Sequence, residues 1–133
     1  MYLQELNSKQ KELFLDLSIN LALADDEFSQ KEMDAICLLC EEMNINKRFS
    51  ACSTLDSATD ALIAENDKKA QRIIIVELLG IAIADDVFEK CEKEVIENLA
   101  SAFAIGSSEI EAASKAIMNL YDTYKVLNGF VGM

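Results

Sequence analysis

Ala24-Asp25-Asp26-Glu27-Phe28, followed by Glu32, is the stretch that decides the fold, because the chain repeats it sixty residues later as Ala84-Asp85-Asp86-Val87-Phe88, followed by Glu92. A gapless alignment of residues 17–45 with residues 77–105 gives nine identities, at positions 22, 24, 25, 26, 28, 32, 36, 39 and 45. The repeat predicts two similar halves, covering about residues 13–65 and 73–127.

Length and composition indicate one helical domain, residues 1–133. The chain is 51% apolar and has no proline and only four glycines, which favours long uninterrupted helices over a turn-rich β fold. A chain of this length can bury a sizeable core without disulfides or metals. We therefore predict an all-α fold, a single helical bundle of about six or seven helices.

Apolar residues recur at helical spacing in both halves. Leu13, Phe14, Leu17 and Leu21 lead to the first acidic turn in a helix that Ser8 is placed to cap. A capping box, Ser29 with Glu32, starts the next helix, whose core face holds Met33, Ile36, Cys37, Cys40 and Met43. One or two short helices are expected between residues 47 and 65, with Ser53, Thr54 and Asp56 as candidate caps, before a polar connection at residues 66–69.

The second half begins with a nearly all-apolar segment, residues 70–84. Its run Ile73-Ile74-Ile75-Val76 fits a buried strand, but the repeat makes it the counterpart of a helix. The following helix is expected to end with Gly106 in the left-handed conformation, and Ser108 with Glu111 to cap the last helix. That helix is predicted to end at Asn128-Gly129.

Charge restricts the class of partner. Twenty-four acidic against twelve basic residues give a net charge of −12, so a nucleic-acid backbone would be repelled, whereas a cation or a protein with a basic surface would be attracted. The longest apolar run, residues 73–84, is interrupted by Glu77 and is too short to span a bilayer. No secretory signal is visible at Met1-Tyr2-Leu3-Gln4-Glu5, and we expect a cytoplasmic location.

The two acidic turns have two explanations. Carboxylates at the C-terminal end of a helix oppose its macrodipole, so another interaction must offset them. In one explanation, they cap the helix that follows. In the other, they form oxygen-rich sites for a hard divalent cation, Ca²⁺ or Mg²⁺. The candidate metal ligands are Asp25, Asp26, Glu32, Asp85, Asp86 and Glu92.

A calcium-binding EF-hand does not fit, since a loop starting at Asp25 would place Gln30 where glycine is needed and Ile36 where a bidentate glutamate belongs. The doubled pattern instead resembles the tellurite-resistance TerB-like family, over about residues 13–127. The match falls on residues 24–26 and 84–86, with Glu32 and Glu92 as the downstream glutamates. This chain has aspartate where the family usually has glycine, at the third position of each turn.

The resemblance implies an all-helical bundle of two similar halves, with the acidic residues of the turns grouped on one side and binding a divalent cation. It also implies a link to stress responses and to membrane-associated complexes. On this basis the chain is expected to be a non-enzymatic domain whose paired acidic turns bind the cation and help it engage a protein partner. The alternative is a metal-free protein interaction module in which the same residues only cap helices.

Other chemistry has less support. The chain has no histidine, which excludes nucleophiles assisted by histidine. Cys37 and Cys40 form a C-x-x-C pattern, but both lie on the apolar stripe of a helix and fit core packing better than a metal or redox site. A carboxylate-metal hydrolase is a third hypothesis. An apolar surface for a homodimer or a docked partner is also expected, with these candidates: Met43, Phe49, Met118, Tyr121, Tyr124, Phe130 and Met133.

Overall fold

The computed structural model describes residues 1–22, 29–84 and 90–132, apart from the side chains of residues 84 and 90–92. Over these ranges it contains helices and no strand, which confirms the all-α prediction. A 3-10 helix, Leu3–Glu5, precedes six α-helices: α1, Ser8–Ala22; α2, Gln30–Met43; α3, Leu55–Glu65; α4, Lys68–Ala84; α5, Lys90–Ala102; and α6, Ser107–Val131. None of the helices, in the described part of the chain, is long and apolar enough to cross a membrane.

The internal repeat is visible in the helix packing. A shift of sixty residues maps α1 onto α4, α2 onto α5, and α3 onto the middle of α6. Helix α1 packs against α2 and α3, and α4 packs against α5 and α6. Contacts between α1 and α4, and between α3 and α5, join the two halves.

One buried cluster includes residues from all six helices and from the 3-10 helix. Phe14 of α1 and Ile74 of α4, which are equivalent in the repeat, are both fully buried. Full burial of such a side chain contributes about 1.5–3 kcal/mol. The run Ile73-Ile74-Ile75-Val76 is helical, as the repeat predicted. Because α4 contacts the 3-10 helix, α1, α5 and α6, it needs an apolar surface on most of its sides.

Local capping explains most helix starts. Ser29 Oγ accepts the Glu32 backbone N–H at 3.2 Å, and Glu32 Oε1 accepts the Ser29 N–H at 3.3 Å, which confirms the predicted capping box. Thr54 caps α3 through a 3.1 Å bond from the Ser57 N–H. The predicted cap at Ser8 is wrong, since Ser8 is already inside α1. Asn7 takes that role: its Oδ1 accepts the Gln10 N–H at 2.8 Å, and Gln10 Oε1 accepts the Asn7 N–H at 2.9 Å.

The connection between the halves is shorter than residues 66–69. Asn66 takes the left-handed conformation (φ 54°) that ends α3, and Asp67 Oδ1 accepts the Ala70 N–H at 3.0 Å. Because Asp67 caps α4, the helix starts at Lys68, and both lysines of the predicted connection belong to it.

The end of α5 also differs from its prediction. The left-handed residue is Ala104 (φ 58°), two residues before Gly106, and the Ile105 N–H donates to Ala100 O at 2.9 Å. This bond closes the last turn and brings Ile105 into the core, which offsets the strain of the left-handed alanine. Gly106 is extended and precedes α6, where its N–H donates to Glu109 Oε2 at 3.0 Å. The predicted Ser108–Glu111 cap is therefore wrong.

Helix α6 continues through Asn128-Gly129, where the sequence predicted its end. It reaches Val131 and ends at Gly132, which is left-handed with φ 86°. A glycine within a helix costs only about 1 kcal/mol relative to alanine, too little to terminate a helix of 25 residues.

Candidate functional site

The predicted acidic site is only partly within the described residues. Glu32 lies in the first turn of α2 and is occupied in capping: its Oε1 accepts hydrogen bonds from the Ser29 backbone N–H and, at 3.0 Å, from Ser29 Oγ. These hydrogen bonds are the ones expected if Glu32 caps α2, as the capping explanation states.

The structure does not describe the side chains of the other five predicted ligands. Asp25, Asp26, Asp85 and Asp86 lie outside the described residues, and Glu92 lies in α5 with its side chain outside the description. Among the residues that are described, no group of three or more carboxylates and thiols is placed to hold a metal ion. The cation site therefore stays a prediction from the repeat.

The cysteines of the C-x-x-C pattern lie on the inner side of α2. Cys40 is fully buried and Cys37 is half-buried, and both are free thiols. Burial raises the pKa of the Cys40 thiol, so Cys40 is less reactive than an ordinary cysteine. Cys40 thus behaves as a core residue.

A polar network holds the segment between α2 and α3 against α1. Oδ1 of the buried Asp16 carboxylate accepts two hydrogen bonds, one from Arg48 Nη1 at 2.6 Å and one from the Cys52 backbone N–H at 2.9 Å. Arg48 Nη2 also donates to Glu12 Oε2 at 3.1 Å, and Asn20 Nδ2 donates to Ser53 O at 3.0 Å. These groups satisfy one another, so the network has a structural role.

The first residues of the chain are held by carboxylates from both halves. The Met1 ammonium lies 2.7 Å from Glu42 of α2 and 3.0 Å from Glu77 of α4, and Glu77 also accepts the Tyr2 N–H at 2.6 Å. Burial lowers the pKa of the Met1 ammonium, but the hydrogen bonds to Glu42 and Glu77 outweigh it, so the net pKa lies above 8.0. Sequence reasoning had treated Glu77 only as an interruption of an apolar run.

Helix α6 is fixed to α4 at two points. Arg72 Nη2 of α4 lies 3.2 Å from Glu109 Oε1. The hydrogen bond from the Gly106 N–H and, to a smaller extent, the Arg72 guanidinium lower the pKa of Glu109. Further along, Tyr121 Oη donates to Gly80 O at 2.9 Å. A Cβ at residue 80 would lie 3.4 Å from Tyr121 Oη, an ordinary van der Waals contact, so this hydrogen bond does not require glycine at residue 80. Burial, with a smaller effect from the Glu77 charge, raises the pKa of Tyr121.

Between α5 and the first half of α6 lies an open groove with a volume of about 920 Å³, here called the α5–α6 groove. Leu79, Ile96 and Ile105 line the groove but are at most 9% exposed, whereas Ile110 is half-buried and Met118 is exposed on α6. The charged residues at the groove are two lysines, Lys93 and Lys115, and two glutamates, Glu97 and Glu111. An apolar lining with a balanced charged rim suits a protein segment better than a charged small molecule.

The last ten residues of α6, residues 122–131, form a projecting end that we call the α6 tail. Every residue of the tail is exposed. Its large apolar side chains are exposed by 55% (Tyr124), 72% (Val126), 51% (Leu127), 88% (Phe130) and 67% (Val131). Contiguous exposed apolar surface of this kind is typical of an interaction site.

The candidate partner surface predicted from sequence separates into buried and exposed residues. Met43 is fully buried and Tyr121 half-buried, whereas Phe49, Met118, Tyr124 and Phe130 are exposed, and Met133 lies outside the described residues. Sequence reasoning missed the groove, because its walls come from three helices. The apolar stripe of α6 gave a signal for the tail, but the same stripe also fitted a core helix.

No protein-family model matches the chain, and neither the curated proteins nor the solved structures include a significant match.

Proposed function

We propose that the chain is a non-enzymatic helical module that binds a protein partner through the α6 tail and the α5–α6 groove. The observation that carries this proposal is the exposure of Tyr124, Leu127 and Val131 along one helix. They are spaced at i, i+3 and i+7, the pattern of an amphipathic helix that inserts its apolar face into a groove.

The polar chemistry of the described residues supports a binding role over a catalytic one. Asp16, Glu77 and Glu32 each hold backbone groups or neighbouring cations in place. In such positions a carboxylate stabilises the fold and is not free to transfer protons to a substrate. Binding energy from the α6 surface would instead come from burial of apolar area.

In-cell crosslinking tests this function. The native chain is compared with Leu127→Gln/Phe130→Gln in the tail and with Leu38→Gln as the matched control, since Leu38 is an exposed leucine on α2. We expect crosslinks from Lys115 and Lys125 of α6 to be lost in the tail variant and kept in the control. Unchanged crosslinks in the tail variant would contradict the proposal.

A second candidate function is cation binding by the two acidic turns, as the resemblance to the TerB-like family implies. It is supported by the packing: the acidic segments lie in the sequence between α1 and α2 and between α4 and α5, and the helices of each pair pack in direct contact. The ion would be Ca²⁺ or Mg²⁺, coupled to a role in stress responses in the cytoplasm, with a basic protein surface or a membrane-associated complex as partner.

Thermal unfolding tests this second candidate. A ligand that binds only the folded state at 100 times its Kd adds about 2.7 kcal/mol, which raises the melting temperature by several degrees. Ca²⁺, Mg²⁺ and chelator are compared on the native chain, on Asp25→Asn with Asp85→Asn, and on Asp60→Asn, an exposed aspartate of α3 that serves as control. A melting temperature that no cation raises would leave capping as the explanation of the acidic turns.

A further inference from the structure

We propose that the cavity between the start of α4 and the turn from α5 to α6, here called the α4 cavity, binds a small hydroxy acid, a carboxylate that also carries a hydroxyl group. The cavity has a volume of about 180 Å³, the space of about six water molecules, so only a small molecule fits. Its lining combines two cations, one buried amide and three apolar residues: Lys68, Arg72, Gln71, Phe103, Ala104 and Ile105.

The buried amide of Gln71 indicates a ligand with a hydrogen-bond donor. Gln71 is only 2% exposed, and its Nε2 donates to Leu62 O of α3 at 3.2 Å. Its Oε1 accepts no hydrogen bond from any residue that the structure describes. Buried polar atoms are nearly always paired. Because Gln71 lines the α4 cavity, a donor on a molecule bound there would supply the missing bond.

The rim of the α4 cavity attracts a negative group. Lys68 is exposed in the first turn of α4, and Arg72 is exposed one turn further along. Arg72 uses Nη2 for Glu109, and its guanidinium has further N–H groups for a second acceptor. Two cations against one carboxylate give this place a positive charge, although the chain carries −12 overall. A small anion is therefore drawn here more than to the rest of the surface.

The lining favours a hydroxy acid over other small anions. An amino acid would bring its ammonium close to Lys68 and Arg72, which would repel it. Phe103 and Ile105 are almost fully buried, so they offer a small apolar surface that suits a short carbon chain. In a hydroxy acid, the carboxylate pairs with the two cations and the hydroxyl donates to Gln71 Oε1.

NMR titration of the isotope-labelled native chain with two matched acids tests the proposal. L-Malate and succinate differ by one hydroxyl group, so their difference in affinity reports the bond to Gln71 Oε1. We expect L-malate to shift the amide signals of residues 103–105 and to bind about tenfold more tightly than succinate. Equal binding of the two acids, or no shift from either at about 20 mM, would overturn the proposal.

Two neighbouring lysines separate the site from the general charge of the chain. Lys68 and Lys69 are both exposed in the first turn of α4, but only Lys68 lines the cavity. Lys68→Gln should weaken L-malate binding by about fivefold, and the control Lys69→Gln should leave it nearly unchanged. Equal weakening in both variants would show that L-malate responds to net charge alone, which contradicts a site at Lys68.

Gln71→Met removes the acceptor and keeps the length of the side chain. If this variant is folded by circular dichroism, we expect it to bind L-malate and succinate equally. A retained preference for L-malate would mean that another group binds the hydroxyl and that Gln71 does not. If the variant does not fold, the two acids on the native chain and the lysine pair still decide the proposal.

Inorganic phosphate distinguishes a hydroxy-acid site from a general anion site. Phosphate carries negative charge and O–H groups but has no carbon chain. We expect it to bind the native chain more weakly than L-malate does in the same NMR titration. Phosphate binding as tight as that of L-malate would overturn the assignment to a hydroxy acid. Since the α4 cavity does not include the α6 tail, each of these results leaves the proposed function unaffected.

Discussion

The two halves of the molecule share their first two helices and differ in the third. In the first half, residues 44–54 separate α2 from α3, and Asp16, Asn20 and Arg48 hold this segment on α1. In the second half, residues 103–106 are the only connection before α6 begins, and α6 is 25 residues long against 11 for α3. The comparison indicates that the repeat preserves the helix pair at each acidic turn, whereas the third helix is where the halves acquired different surfaces.

The largest expected effects test whether the two copies carry equal shares of the core. Phe14→Ala and Ile74→Ala remove equivalent, fully buried side chains. Each should lower the free energy of unfolding in urea by about 2–5 kcal/mol, because a cavity adds to the lost burial. The control is Phe130→Ala, at a strongly exposed position, with an expected change within about 0.5 kcal/mol. A small effect at only one of the two core positions would show that the halves are not equivalent.

The next prediction addresses the polar network of the first half. Asp16→Ala leaves the Arg48 guanidinium and the Cys52 N–H without their buried acceptor. We expect a loss of about 1–3 kcal/mol in urea unfolding, because the Cys52 N–H loses its buried acceptor and Arg48 keeps only its more exposed partner, Glu12. Glu12→Gln alters the more exposed ion pair of the same arginine and should cost at most about 1 kcal/mol. Equal effects for the two variants would mean that Asp16 adds nothing beyond surface electrostatics.

A smaller effect is expected where α6 approaches α4 in the second half. Tyr121→Phe removes the hydrogen bond to Gly80 O and should cost about 1 kcal/mol in urea unfolding. The control is Tyr124→Phe, since Tyr124 is exposed and should change stability by less than about 0.5 kcal/mol. Equal stability of Tyr121→Phe and the native chain would show that the hydrogen bond to Gly80 O does not help to hold α6 on α4.

The last prediction concerns the Met1 ammonium, which belongs to neither copy. Its pKa is raised above 8.0 in the folded chain, so its contribution is fully present below pH 8 and is lost as the pH rises through the folded value. Glu42→Gln should therefore flatten the fall in melting temperature above pH 8. Glu94→Gln, at an exposed position of α5, should leave that fall unchanged. If the melting temperature falls equally steeply above pH 8 in the native chain and in both variants, the Met1 ammonium does not cause that fall.

The comparison also explains which sequence predictions held. The Ser29–Glu32 box and the helical nature of residues 70–84 were predictable because capping and periodicity depend on near neighbours and on the repeat. The errors at Gly106 and at Asn128-Gly129 have one physical origin: glycine permits a helix to end but does not force it to. The left-handed residue is instead Ala104, because burial of Ile105 in the core favours that turn.

The candidate site was less predictable than the fold. The link between Asp16 and Arg48 spans 32 residues, and no local pattern in the sequence marks it. The exposed tail of α6 was included in the predicted partner surface, but Met43, from the same set, is a core residue. The acidic turns remain a prediction, with only the capping role of Glu32 observed.

By itself, the sequence determined the helical class, the duplication and most helix positions, since these follow from the spacing of apolar residues and from side chains that bond to nearby backbone groups. Only the tertiary structure decided which apolar faces are covered. Helix α6 presents one continuous apolar stripe along its length, and α4 covers only its first part, so burial of the stripe depends on the length and position of a neighbouring helix.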